Sequence, residues 1–165
     1  MESKQRTKAI ESSIQRFRDG KDYHRQFLDQ YLPIEGLIGD IGCAEGRIGA
    51  FYHSEKRRFV AFDTDAEVLA IGQKLYPAID FRLGSAYNLP LPDQCLDAYI
   101  GLGIFELDGM TGEVAAAEAA RVTTGGAALH QRTILKPASS ISWCPSKLAG
   151  YRIAAFFEEA DDGAS

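Results

Sequence analysis

Apolar residues in the first thirty positions recur at helical spacing, at Ile10, Ile14 and Phe17 and then at Tyr23, Phe27, Leu28 and Tyr31. Polar residues fill the gaps, and Asp19-Gly20 breaks the series. The pattern predicts two helices, the second stopped by Pro33. Beyond Pro33 the pattern changes to short, unbroken apolar runs of the kind found in strands covered on both faces. Such runs occupy residues 36–41, 59–62, 79–83, 96–102 and 127–130, with a further one at 151–157. Helical stretches separate them: one from Arg47 to His53, one from Ala66 to Tyr76 with Asp65 as N-cap and Pro77 beyond its end, and one from Glu113 to Val122 closed by Gly125-Gly126. A short helix over 139–148 fits the tail despite Pro145. Strand and helix alternate four to five times, which predicts an α/β fold: a three-layer αβα sandwich around a mostly parallel sheet. Residues 1–33 form helices packed on the core and 34–165 the main unit, a single domain overall.

The chemistry concentrates where the first strand ends. Residues 37–46 run Leu-Ile-Gly-Asp-Ile-Gly-Cys-Ala-Glu-Gly, an apolar strand closing on Asp40 and a loop of tiny residues that leads into a helix. In an open parallel sheet, ligands bind beyond the carboxyl ends of the strands, where the strand order reverses. Gly42 and Gly46 remove side chains where the backbone would approach a ligand, and the amides opening the next helix carry partial positive charge. Asp40 either orients this loop or meets an ammonium group through water. Asp63 ends the second strand, 23 positions after Asp40, and is the natural acceptor for two ribose hydroxyls. Helix capping is its alternative role, and Asp65 fills that one better. Dinucleotide oxidoreductases share this arrangement. Here, however, Arg47 stands at the third glycine position of G-x-G-x-x-G, which disfavours a pyrophosphate loop.

Four segments in order then resemble the class I S-adenosylmethionine-dependent methyltransferases. Asp40-Ile41-Gly42-Cys43-Ala44-Glu45-Gly46 is similar to the family's first motif, and Ala61-Phe62-Asp63-Thr64-Asp65 to its second-strand acidic motif. Gly84-Ser85-Ala86 with residues 89–93 and Leu96-Asp97 resembles a third motif. Glu118-Ala119-Ala120-Arg121-Val122 with Gly125-Gly126 resembles a fourth. The resemblance implies a Rossmann-like fold and the cofactor S-adenosyl-L-methionine, released as S-adenosyl-L-homocysteine. It places Gly42, Cys43, Ala44 and Gly46 at the methionine end, Asp63 on the ribose and Thr64 under the adenine edge. Ser85 and Ala86 then meet the exocyclic amine and ring, and Gly101 and Leu102 lie beneath the sulfonium. Tyr23 or His24 covers the pocket as a lid.

Three departures stand out. Ala44 replaces the middle glycine, and Ser85 replaces the usual adenine-contacting aspartate, although a hydroxyl still accepts one hydrogen bond. With residues 151–157 as the sixth strand, nothing apolar remains for the family's reversed seventh strand, and the resulting bare edge suits a homodimer. The implied reaction is in-line displacement onto a small-molecule or metabolite acceptor, where alignment alone is worth roughly 7–11 kcal/mol. Glu106 is the candidate base, with His130, Gln131 and Arg132 as further substrate contacts. A catalytically inactive cofactor-binding or partner-binding module is the alternative, and a nicotinamide oxidoreductase a lesser one.

Composition narrows the class. The 18 Lys and Arg against 23 Asp and Glu give a net charge of −5, which argues against general nucleic-acid binding. Basic residues do gather in the first thirty positions, but acidic ones interleave with them, as on a solvated helical face. Cys43, Cys95 and Cys144 are few and widely spaced, with neither metal-ligand nor disulfide grammar, and His24, His53 and His130 lack ligand spacing. No metal site is expected. No apolar run approaches membrane-spanning length and the start has no signal-peptide pattern, so a soluble cytoplasmic protein is the expectation.

Overall fold

The computed structural model describes residues 2–102, 104, 112–133 and 153–158. Two helices lead the chain, α1 (Glu2–Arg18) and α2 (Tyr23–Tyr31). They part at Gly20, whose φ of +70° suits a residue without Cβ. Asp22 caps α2 by accepting from the His24 amide at 3.0 Å. Then follow β1 (Gly36–Ile41), α3 (Arg47–Tyr52), β2 (Arg57–Asp63), α4 (Ala66–Leu75) and β3 (Asp80–Leu83). After these come β4 (Leu96–Leu102), α5 (Gly112–Val122), β5 (Thr123–Thr133) and β6 (Ile153–Glu158). Asp65 is the N-cap of α4, accepting from the Glu67 and Val68 amides at 2.9 and 3.2 Å.

The strands form one sheet in the order β3-β2-β1-β4-β5-β6, with every pairing parallel. This is the expected three-layer Rossmann-like architecture. Its order reverses between β1 and β4, so the crevice rule applies at the carboxyl ends of those two strands. Alternation along β1 and β2 sends side chains into two apolar layers. Ile38, Phe59 and Ala61 join Phe17 of α1, Leu28 of α2, Ile48 and Tyr52 of α3 and Leu69 of α4. Ile41, Val60 and Phe62 face the other way, towards Ala115, Ala119 and Val122 of α5.

One boundary differs markedly from the sequence reading: β5 starts at Thr123, not at Ala127. Gly125-Gly126 does not close α5: the chain turns into β5 at Thr123, so both glycines belong to the strand. The buried Thr123 hydroxyl donates back to the Ala119 carbonyl at 2.8 Å, ending the helix without a glycine cap. Among the described residues β6 pairs directly with β5, Ala128 opposite Ile153. The helix expected over 139–148 lies outside the described residues.

Side chains rather than backbone pairing fasten the leading helices. Phe17 and Leu28 are fully buried, and Phe17, Phe51 and Tyr52 stack edge to face with centroids 5.0–6.0 Å apart. Tyr52 donates to Asp29 Oδ1 at 2.6 Å, and Arg6 of α1 pairs with Asp65 at 2.9 Å. Tyr52→Phe keeps the ring stack and removes the hydroxyl. It is expected to destabilise the fold by about 1 kcal/mol, seen as a drop of roughly 2–4 °C in Tm.

Candidate functional site at the carboxyl edge of the sheet

The turn after β1 winds through three left-handed residues, Gly42 (φ +72°), Ala44 (φ +49°) and Gly46 (φ +80°). Only Ala44 carries a Cβ there, at a cost on the order of 1 kcal/mol. The turn is held by β2. The Gly42 and Cys43 amides both donate to the Phe62 carbonyl, at 2.8 and 3.0 Å. The Ala44 amide donates to Asp63 Oδ2 at 2.9 Å, and the Asp65 amide donates to Asp63 Oδ1 at 3.0 Å. Asp63 thus shapes the loop as well as ending β2, a role the sequence did not disclose. Each of its oxygens keeps a lone pair for another donor.

The two glycines also have a reason within the chain. A Cβ on Gly42 would run into the Ile104 side chain, and one on Gly46 into the Phe81 ring. Both are therefore explained by packing within the chain and by positive φ, and neither requires a ligand. Gly42 remains exposed on its outer side, whereas Gly46 is buried.

Beneath the loop lie charges that packing does not explain. Asp40 is 2% exposed, and its Oδ2 has no hydrogen-bond partner among the described residues. Burial pushes its carboxyl up to about 7; the nearby Arg47 charge opposes this, while Asp63 and Glu45 reinforce it. Glu45 is buried too, with Oε1 unpartnered by any hydrogen bond among those residues and 3.9 Å from an Arg47 nitrogen. Arg47 also reaches Asp22, the cap of α2, at 3.8 Å, linking the leading helices to the loop. Glu45, Arg47 and Asp22 were not recognised as site residues from sequence. The available signal was a single carboxylate, Glu45, set within a loop of tiny residues. Cys43 donates its thiol to the Ala44 carbonyl at 3.4 Å. Burial first, then the Asp40 and Asp63 carboxylates, push that thiol far above its ordinary range.

Thr64, Ser85, Gly101 and Leu102 lie at the carboxyl ends of β2, β3 and β4 or just beyond them. Thr64 is exposed between Asp63 and Asp65. Gly84, next along, donates its amide to the Asp63 carbonyl at 3.0 Å, which sets the β3 loop beside the end of β2. There Ser85 Oγ accepts from the Tyr87 amide at 3.2 Å, while Ala86 is buried in the second apolar layer. Gly101 and Leu102 end β4, opposite His130 and Gln131 of β5, with Arg132 the next residue. Tyr23 opens α2, its side chain outside the described set; His24 beside it lies 3.3 Å from Asp22. Glu106 lies outside the described residues. Among those residues, no group of three or more His, Cys, Asp or Glu is placed to hold a metal, and no helix is long and apolar enough to cross a membrane.

Along this edge β1 carries a buried Asp40 carboxylate with one oxygen unpartnered among the described residues, β2 ends in Asp63, and the β3 loop follows beside Asp63.

Comparison with known proteins agrees with this geometry. The sequence profile of the family described as "methyltransferase domain" matches residues 38–126. The malonyl-[acyl-carrier protein] O-methyltransferase of Pectobacterium atrosepticum is 30% identical over 96 residues, covering 58% of this chain and 37% of that protein. A ubiquinone/menaquinone biosynthesis C-methyltransferase from Rubrivivax gelatinosus is 33% identical over 85 residues, covering 50% and 34%. The matches span about a third of the length of these curated relatives. Among solved structures, an S-adenosylmethionine-dependent methyltransferase from Thermotoga maritima superposes with a TM-score of 0.58 at 24% identity, covering 73% of this chain and 55% of that one. A protein from Pyrococcus horikoshii gives 0.59 at 18% identity, covering 67% and 55%. At these identities the structures speak for the fold.

Proposed function

Because the chain belongs to the methyltransferase-domain family, we propose that it binds S-adenosyl-L-methionine and transfers its methyl group to a small-molecule acceptor by in-line displacement. The observation that carries this reading is the buried Asp40 carboxylate, with one oxygen unpartnered, lying under a loop that Asp63 holds from β2. When bound, the sulfonium supplies an electrophilic methyl group. Asp40 holds the ammonium end, the turn from Gly42 to Gly46 lines the methionine chain, and Asp63 accepts from the ribose. Thr64, Ser85 and Ala86 frame the nucleobase, Gly101 and Leu102 underlie the reacting end, and Tyr23 closes over it. Alignment does most of the work, so a dedicated base is optional; Glu106 is the residue assigned to take a substrate proton when one must leave.

The acceptor atom is left open by the relatives, one named for O-methylation and another for C-methylation. The net charge of −5 favours a small molecule over nucleic acid. Two copies pairing along an outer strand, β3 or β6, is the proposed route to a dimer.

Calorimetric titration with S-adenosyl-L-homocysteine tests the proposal. Micromolar binding is expected, in the range usual for enzyme ligands. No binding overturns it, and binding combined with silence across a broad acceptor screen would favour the inactive module.

A further inference from the structure

An ion pair on α5, between the buried Glu118 and the partly exposed Arg121, grips the loop that follows β3. Glu118 Oε1 accepts from the Leu89 amide, and Arg121 returns two bonds to the same carboxylate at 2.7 and 2.8 Å. Arg121 also donates to the Leu89 carbonyl at 3.1 Å, to the Leu91 carbonyl at 2.9 Å and to Asp93 at 2.7 Å. The backbone closes the seam: the Gln94 and Cys95 amides donate to the carbonyls of Arg121 and Val122. Two side chains one turn apart therefore tie both ends of residues 89–93, with planar, charge-assisted bonds. Nothing in the apolar packing of Ala86 and Leu89 against Ala115, Ala119 and Val122 demands so many polar ties.

The tied loop lies at an informative place. Along the carboxyl edge the strands run β4, β1, β2, β3, so a ligand whose sugar meets Asp63 and whose amino-acid end meets Asp40 must lay its base over the β3 loop. Resting on the functional reading above, we propose that Glu118 and Arg121 are positioning residues for the nucleobase end of the cofactor. They act through the 85–93 loop and do not touch the ligand. They hold Ser85 at a fixed height beside Asp63, so the base meets a preformed shelf and no loop must order on binding. A helix packed on one face of the sheet thereby sets the affinity at the nucleobase end of the cofactor.

The test combines amide hydrogen exchange with titration by S-adenosyl-L-homocysteine on the full chain. Arg121→Gln is expected to speed exchange at residues 85–91 by about tenfold or more while the amides of β1 and β2 keep their protection, and to weaken binding by about tenfold. In a double-mutant cycle, the weakening caused by Ser85→Ala should shrink in the Arg121→Gln background, because the shelf is already loose. Asp93→Ala removes only one tie, at a side chain 75% exposed, and should shift exchange and affinity in the same direction by about twofold; it carries the test if Arg121→Gln fails to fold. Unchanged exchange at 85–91, or strictly additive effects on binding, overturns the positioning role while the functional reading stands. A wild-type chain that does not bind S-adenosyl-L-homocysteine removes both.

Discussion

Replacing Asp63 by alanine is expected to weaken S-adenosyl-L-homocysteine binding by about ten- to a hundredfold, the equivalent of roughly 1–3 kcal/mol for lost polar contacts to a charged group. Two losses combine. The proposed ribose acceptor disappears, and so do the acceptors for the Ala44 and Asp65 amides. Ala44, the one non-glycine residue of the turn with positive φ, is then left without the bond that holds it there. The variant should therefore also melt earlier. Asp63→Asn separates the effects: its amide oxygen can still accept from one backbone N–H, so stability recovers more than affinity does. A titration in which the alanine variant matches the parent would remove Asp63 from the site.

Asp40→Asn is expected to move stability and affinity in opposite directions. In the folded chain the Asp40 carboxyl titrates at about 7, against an ordinary 3.8, chiefly because it is buried. Between those values the folded state holds a proton that the unfolded state has released, so stability is full below about pH 4 and declines as pH rises towards 7. Asparagine cannot ionise and removes that decline. At pH 8 the variant should be more stable than the parent by up to about 4 kcal/mol, and at pH 4 the two should match. Affinity runs the other way: at pH 8 the variant lacks the charge that meets the ammonium group and should bind S-adenosyl-L-homocysteine at least about tenfold more weakly. Parallel stability curves for the two proteins from pH 4 to 8 would show that Asp40 is not the group that titrates. A site that keeps a destabilising charge for a ligand's benefit is a familiar exchange of stability for function.

The elements were legible because their signals are local. Residues 96–102 form β4 just as the apolar run indicates, and Asp65 caps α4 as its place before an apolar period requires. The parallel sheet followed from alternation alone, as a βαβ rhythm leaves few other arrangements. What stayed hidden depends on contacts between distant positions. That Gly42 yields to Ile104 and Gly46 to Phe81 cannot be read from a glycine's spacing, which is the same whether a ligand or a neighbour comes close. The Glu118–Arg121 pattern was visible in the chain, but its hold on the Leu89 and Leu91 backbone is a product of folding. The end of α5 at Val122 matches the sequence pattern, but β5 begins at Thr123 instead of Ala127: Gly125-Gly126 reads as a stop signal in isolation, whereas a hydroxyl bonding back to Ala119 and pairing with β4 start the strand at once.

The neutral thiol of Cys43 has a chemical consequence. A sulfonium methyl donor alkylates thiolates readily, and a cysteine within the proposed cradle would be its first victim if it ionised near neutrality. Its burial, and the crowd of carboxylates around it, keep the sulfur protonated and its proton on the Ala44 carbonyl. The same negative charges that welcome a cationic ligand thus disarm the nucleophile lying beside it. On the proposed function, this would spare a bound donor from self-alkylation and keep its methyl group for an acceptor.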